Sequence, residues 1–311
     1  MLCPICGHKR ASKFLLAPDR FHGRKIPFQT VRCSSCSLVW LENPPKPEGM
    51  PYHYGSEYHK AIRIGGEVGF DKRWRYPMSR ILQVAQHGCL LDIGCSSGGF
   101  LRTIAEPRWE LYGIEVSPAE ARKAEESSGA KVFVGDILEA PFSPSTFDVI
   151  TGFHVLEHVY QPKQVIEKLW RWLKPGGIIY LHVPNIEALE AKIFRSYWYG
   201  LELPRHLYHF SLTSLSRLFS TFGFEQLILQ TLPHNHIEAS LHYLFQEAQL
   251  GFDIAPAPLS SGRKPPGIAW RIIRKAIRVA MFEPFGYVAA LVGHGAGIEA
   301  MYRKGKARND S

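Results

Sequence analysis

One stretch limits the fold of this chain more than any other: Cys89-Leu-Leu-Asp-Ile-Gly-Cys-Ser-Ser-Gly-Gly-Phe-Leu101. Leu90 to Ile93 is an apolar run of strand length, Gly94 to Gly99 a glycine-rich turn, and Phe100, Leu101 and Ile104 begin a helix. A strand, a tight turn and a helix in that order bring backbone N–H groups and the positive end of a helix close to a ligand. The glycines alone also fit a plain turn, so the segments that follow carry the decision. Leu111 to Ser117 reads as a second strand with Glu115 at its end. That places a carboxylate about twenty residues past the turn, where it can accept hydrogen bonds from both hydroxyls of a ribose. Pro118 to Ser127 reads as a helix, Val132 to Ile137 as a third strand with Asp136 at its end, and Phe147 to His154 as a fourth. Val165 to Leu173 has helical spacing, Pro175-Gly-Gly177 turns the chain, and Ile178 to Val183 is a fifth strand. Strands alternating with helices predict a parallel sheet covered on both faces.

The segments LLDIGCSSGGFL, GIEVS, VGDILEAPF, FDVITGFHVLEHV and LKPGGIIYLHVPN, in this order, resemble the class I S-adenosylmethionine-dependent methyltransferases over residues 85–185. The resemblance implies an α/β fold, a Rossmann-like seven-stranded sheet. It implies that the Gly94–Gly98 turn cradles the methionine part of the cofactor, and that Asp92, Cys95, Ser96 and Val116 are among the cofactor-binding residues. Glu115 would hold the ribose. Asp136 and Ile137 would flank the adenine, Asp136 accepting from its amino group. Phe153 and His154 would line the floor near the sulfonium. Ser96 stands where many members have a glycine.

Cys3-Pro-Ile-Cys6 and Cys33-Ser-Ser-Cys36 form a second motif. Two residues between cysteines let both thiolates reach one ion from a tight turn, and four thiolates close the tetrahedron that a structural Zn²⁺ prefers. Residues 1 to about 45 therefore read as a zinc ribbon, stapled by metal as a small unit requires. Four cysteines leave no open position for catalysis by that metal. The full layout expected is a ribbon over 1–45, a linker and helical lead-in over 46–76 and the cofactor-binding core over 77–232. A helical insertion over 233–297 and a last strand with a basic tail over 298–311 complete it.

His154, Glu157 and His158 spell H-x-x-E-H, and two histidines four apart on a helix could bind a second divalent metal. Related ubiquinone-pathway O-methyltransferases and small-RNA methyltransferases carry E-x-x-E-H here and bind a cation. His154 replaces the first Glu, so the preferred reading is that Glu157 and His158 cap or orient the loop. The segment Pro204-Arg-His206-Leu-Tyr208-His209-Phe-Ser211 follows the fifth strand. In related enzymes it faces the substrate, which makes His206, Tyr208, His209 and, from the fourth strand, His154 the candidates for general base and acceptor contacts. The plainer alternative packs one or more of them as core.

The composition is that of a folded chain: 311 residues, 45% hydrophobic and 12% aromatic, which excludes a disordered polymer. The first residues lack the apolar run of a secretory leader, and no run of about 18 apolar residues spans a membrane. A cytoplasmic setting is expected, with reduced cysteines. The net charge of +9 is carried by the two ends around a mildly acidic centre. The strongest basic pattern is Ile268 to Phe282. There Arg271, Arg274, Lys275 and Arg278 face one way and Trp270, Ile273, Ile277 and Met281 the other, with Glu283-Pro284 expected to end the helix. Such a helix suits peripheral contact with an anionic membrane, or packing on its own domain as a lid. No recognisable RNA or DNA module interleaves the basic residues, so nucleic acid is not the expected partner.

A zinc ribbon ahead of this core resembles bacterial sugar C-methyltransferases and small-molecule methyltransferases of similar layout. The sugar enzymes carry a longer C-terminal domain. The acceptor is therefore left open among small molecules, glycans and lipid-linked groups, with a quinone or lipid O-methyltransferase as one alternative. The other is a non-catalytic binding module recruited through the ribbon, against which the acidic strand ends Glu115 and Asp136 argue.

Overall fold

The computed structural model describes residues 2–22, 24–54, 72–247 and 276–305. They fall into two compact units. One takes the described residues up to 54 with those of 184–215 and 230–298; the other takes 72–183, 216–229 and 299–305.

The second unit is built on a seven-stranded sheet. Its first strands are β4 (Gly88–Ile93), β5 (Trp109–Glu115), β6 (Lys131–Val134), β7 (Phe147–Phe153) and β8 (Leu173–Pro184). Late in the chain come β10 (Phe224–Leu232) and β11 (Gly297–Lys304), and the order across the sheet is β10-β11-β8-β7-β4-β5-β6. β4 pairs in parallel with β5 on one side and β7 on the other. The chain thus reverses its direction of winding at β4, and this is the place where an open α/β sheet leaves a crevice at its carboxyl edge. Leu90, Leu91, Asp92 and Ile93 are all buried, as a central strand covered on both faces requires. Around it Ile81, Phe100, Leu101, Ile104, Ala124, Val149, Ile178 and Met301 form one apolar core.

Local signals set the helices. α1 is Lys72–Leu82 and α2 is Gly99–Ile104. α3 (Pro118–Ser128) opens with proline in its first turn, and its N-cap Ser117 accepts from Glu120 N. It ends at Gly129, whose φ of 71° and N–H bond to Glu125 O close the last turn. α4 (Pro162–Trp172) buries Val165, Ile166, Leu169 and Trp172 on one stripe.

The first unit holds a four-stranded sheet in the order β1-β2-β3-β9: β1 (Ala11–Asp19), β2 (Arg24–Cys33), β3 (Val39–Leu41) and β9 (Tyr208–His209). The ribbon expected over 1–45 is therefore not closed by its own residues. Its fourth strand comes from the histidine-rich segment, and the described residues of 184–215 and 230–298 cluster with it. A two-residue strand so far along the chain has no sequence signature. α5 (Leu189–Phe194) and α6 (Leu212–Ser220) follow, the latter behind a reciprocal cap in which Ser211 Oγ accepts from Ser214 N at 3.1 Å and Ser214 Oγ from Ser211 N at 2.8 Å.

α7 (Ile237–Glu247) begins the insertion. Residues 248–275 of that insertion, with the basic positions Arg271, Arg274 and Lys275 and with Trp270 and Ile273, lie outside the described residues. Further on, a π-turn over Arg278–Phe282 runs into α8 (Glu283–Leu291). This corrects the expectation that Glu283-Pro284 ends the helix. Pro284 falls in the first turn of α8 directly behind the π-turn, and the helix runs through it: the widened turn is where a helix takes up the donor that proline lacks. No helix among the described residues is long and apolar enough to cross a membrane.

Candidate cofactor site and metal centre

The turn after β4 is wound tightly. Gly94, Ser96 and Gly98 all have positive φ, at 65°, 48° and 78°. Gly98 is also the N-cap of α2, and a Cβ there would sit 2.7 Å from the Ala124 backbone, so only glycine lets α2 and α3 approach this closely. Cys95 N bonds Ile114 O at 3.1 Å, which ties the turn to β5, and the Cys95 thiol is pushed up by burial.

Three carboxylates stand at the ends of three neighbouring strands. Asp92, next to last in β4, is fully buried and accepts from Thr151 Oγ1 at 2.7 Å. Burial pushes its pKa up to about 7, against the opposing effect of that hydrogen bond. Glu115, last in β5, is buried, and its two oxygens accept from Ser96 N and Ser117 N, each at 2.9 Å. Asp136, two residues beyond β6, is exposed and accepts from Leu138 N at 2.7 Å; Ile137 beside it is buried. Val116 is exposed just past Glu115. The sequence-expected cofactor residues from Asp92 to Ile137 therefore come together along one sheet edge.

At the end of β7, Phe153 packs in an aromatic group with Trp74 and Phe100, centroids 4.9 Å away in both cases, and with His182 at 5.2 Å. His154 follows with a φ of 58°, half-exposed, its Nδ1 3.3 Å from Oε1 of the fully buried Glu157.

Sequence reasoning missed the network behind Phe153. His182 on β8 is the register partner of Phe153. Its Nε2 lies 2.9 Å from Tyr180 Oη, which donates to Glu299 Oε1 at 2.7 Å. Glu299, with no exposure, also accepts from Arg80 Nε at 3.1 Å and Tyr76 Oη at 2.9 Å. The alternation of Tyr180 and His182 within an apolar strand was the one signal of it.

In the other unit, His206 and His209 are buried and each gives a ring N–H to a carbonyl: His206 Nδ1 to Gly200 O at 3.0 Å, and His209 Nε2 to Leu201 O at 2.9 Å. Only nitrogen can donate in these pairs, so His206 Nδ1 and His209 Nε2 each carry a hydrogen. His206 Nε2 lies 3.5 Å from Glu202 Oε2. Tyr208 is half-buried, paired with Trp40 across β3 and β9.

The four ribbon cysteines converge. Cys3 and Cys36 sulfurs are 3.6 Å apart, as are those of Cys6 and Cys33, and all four lie within 4.8 Å of one another. A tetrahedron with Zn–S bonds of about 2.3 Å has edges of about 3.8 Å, so the spacing fits the ion. Both turns have the same build. Gly7 N donates to Cys3 O and Ser37 N to Cys33 O, and Gly7 and Ser37 are both left-handed at φ 70° and 60°. With thiols this close, a hydrogen bond from Cys36 holds the Cys3 thiol well below its usual range.

The model of the methyltransferase domain family matches residues 70–229, a little over half of the chain. The chain belongs to the methyltransferase domain family. It is 33% identical over 103 residues to the sterol 4-C-methyltransferase strm-1 of Caenorhabditis elegans, covering 31% of this chain and 31% of that protein. It is 28% identical over 187 residues to a ubiquinone biosynthesis O-methyltransferase of Methylococcus capsulatus, covering 56% of this chain and 76% of the relative. The chain thus spans about a third of the first of these and three quarters of the second. A SAM dependent methyltransferase from Archaeoglobus fulgidus superposes with a TM-score of 0.53 at 14% identity, over 79% of this chain and all of the other, which establishes the shared fold.

Proposed function

We propose that this chain transfers a methyl group from S-adenosylmethionine to a small-molecule acceptor. The observation that carries the reading is the row of carboxylates Asp92, Glu115 and Asp136 along one sheet edge, beside a turn wound through three left-handed residues. That set of acceptors suits a cofactor with a cationic methionine end, two ribose hydroxyls and an adenine amino group. In this reading the Gly94–Gly98 turn, with Asp92, Cys95 and Ser96, takes the methionine part. Glu115 accepts from the ribose with the lone pairs its two amide bonds leave over, and Val116 lies beside it. Asp136 and Ile137 flank the adenine, and Phe153 and His154 lie near the sulfonium. The bound cofactor supplies an electrophilic methyl group. The chain must align the acceptor in line and take up its proton. His206 is the favoured base: Gly200 O holds its Nδ1–H and so fixes the ring, and the Glu202 carboxylate 3.5 Å from Nε2 can stabilise the imidazolium. His209 and Tyr208 then orient the acceptor.

Cys3, Cys6, Cys33 and Cys36 hold one structural Zn²⁺ in this proposal. Glu157 and His158 orient the 154–158 loop in preference to binding a second cation. The relatives' names, a sterol and a ubiquinone-pathway methyltransferase, favour an apolar small molecule over a glycan or lipid-linked saccharide. Contact with an anionic membrane surface belongs to the same reading, supported by exposed Met281, Tyr287, Val288, Leu291 and Val292 next to Arg278. Co-sedimentation with anionic vesicles, weakened by salt, is the expected result; equal recovery without vesicles contradicts it.

The test of the function is tracing of methyl-labelled methionine into metabolites and lipids of cells with and without the protein. A labelled small molecule present only with the protein is expected. No difference, alongside intact cofactor binding, favours a non-catalytic binding module.

A further inference from the structure

The zinc ribbon and the histidine-rich segment are one folded object. β9 pairs antiparallel with β3 through Val39↔His209 and Trp40↔Tyr208, and Leu41 N donates to Leu207 O at 3.0 Å. β3 starts three residues after Cys36 and pairs with β2, which ends on Cys33. The strand that pairs β9 thus leaves the second cysteine turn, and its other neighbour, β2, enters that turn.

A second, electrostatic link runs from the β1–β2 hairpin. Asp19 ends β1 opposite Arg24 and is fully buried. Its Oδ1 is 3.3 Å from Arg205 Nη1, and its Oδ2 accepts from His53 Nδ1 at 3.0 Å and lies 3.5 Å from Arg24 Nη1. Arg205, also fully buried, donates from Nη1 to His53 O at 2.8 Å and from Nε to Glu202 Oε1 at 3.0 Å. The second oxygen of Glu202 faces His206 Nε2. A guanidinium with no access to water needs its counter-ions in place, and of the two carboxylates that face Arg205 the hairpin delivers Asp19.

We propose that the ribbon is the template on which residues 202–209 fold, so that metal binding at Cys3, Cys6, Cys33 and Cys36 decides whether His206 and His209 are held in place. The four cysteines and Asp19 are positioning residues, and the ribbon is an integral part of the histidine-bearing segment instead of a detachable recruitment module. The role given to His206 in the reaction rests on the function proposed above; the template itself does not.

Hydrogen exchange by mass spectrometry on the full chain, loaded with zinc and then stripped of it, tests the template, with S-adenosylhomocysteine calorimetry run in parallel. Stripping is expected to speed exchange at least tenfold in 205–211 together with 29–41. The strands 90–93 and 149–153 keep their protection and the nucleoside still binds. Protection of 205–211 that survives zinc loss overturns the proposal. Asp19→Asn covers the case in which stripping unfolds everything, because it leaves the cysteines intact. Its zinc content should match wild type. The long-range ¹H–¹⁵N spectrum of His206, with Nδ1 protonated throughout in the wild type, should come to include a form in which Nδ1 is not protonated. An unchanged spectrum in Asp19→Asn counts against the template. A wild-type protein that loses 205–211 protection with zinc but never binds S-adenosylhomocysteine refutes the proposed function and leaves the template standing.

Discussion

Ser96 donates its backbone N–H to Oε2 of Glu115 at 2.9 Å, which ties the turn after β4 to the last residue of β5. Oε1 of the same carboxylate accepts from Ser117 N at 2.9 Å, so one buried side chain secures the left-handed turn and the N-cap of α3 together. Glu115 therefore serves the fold before any ligand arrives. Glu115→Gln replaces one acceptor oxygen by a donor that faces another N–H. It should destabilise the cofactor-free protein by about 1.5–3 kcal/mol, the value of a hydrogen bond to a charged group. Urea unfolding of both proteins measures this; equal midpoints and slopes would exclude a structural role for the pair.

Gly98 and Gly129 separate strain from crowding. Both have φ above 70°. A Cβ on Gly129 meets nothing within 4 Å, whereas one on Gly98 meets the Ala124 backbone at 2.7 Å. Gly129→Ala should cost about 1–2 kcal/mol, the left-handed penalty alone. Gly98→Ala should cost about 1–3 kcal/mol more, for overpacking against α3. Equal losses in denaturant titrations would mean that the close approach of α2 and α3 is not what selects glycine.

Two buried carboxyls give stability a pH dependence. Asp92 and Glu190 are each pushed up to about 7 by burial, opposed in Asp92 by the Thr151 hydroxyl and in Glu190 by the His236 amide and Trp198. Between about pH 4 and 7 the unfolded chain has released these protons while the folded chain keeps them. Their contribution is full below the unfolded pKa and is lost as pH rises through 7, with a slope of about 1.4 kcal/mol per pH unit for each group. Thermal melts from pH 5 to 7 should show Asp92→Asn removing part of the decline and Asp92→Asn with Glu190→Gln removing most of it. A wild-type Tm that rises over this range, with the variants parallel to it, would contradict the assignment.

The thiol cluster predicts one zinc per chain by elemental analysis. Cys33→Ser should lower that content to a small fraction, because it removes one corner of a closed tetrahedron whose sulfurs already stand 3.6 Å apart in pairs. Full zinc content in the variant would place the metal elsewhere.

What the sequence discloses follows from where the causes lie. The strand, turn and helix from Leu90 to Ile104 were legible because burial on both faces forces a continuous apolar run and the turn forces glycine. Glu115 and Asp136 were legible because an acid closing an apolar strand is conspicuous. Cys3 to Cys36 announced themselves by spacing. The pairing of Val39 with His209 was not legible: a two-residue strand has no periodicity, and its partner lies far back in the chain. For the same reason the sequence does not announce that β9 joins the sheet of β1, β2 and β3. Glu299 was hidden for another cause. It lies in a strand, where its burial is compensated by Arg80, Tyr76 and Tyr180, three residues from two other elements. Pro284 reads as a stop in the sequence because nothing in the residue pattern announces the π-turn that carries the helix through it.

The most direct measurement of the central claim is isothermal calorimetry of the zinc-loaded protein with S-adenosylhomocysteine, comparing wild type with Glu115→Ala. A saturable one-to-one isotherm in the wild type is expected. Loss of the charged contact to the ribose should weaken it by about 1.5–3 kcal/mol, roughly 10- to 150-fold in affinity. An isotherm for Glu115→Ala that overlays the wild type, or no heat from either protein, would contradict the cofactor site on which the account is built.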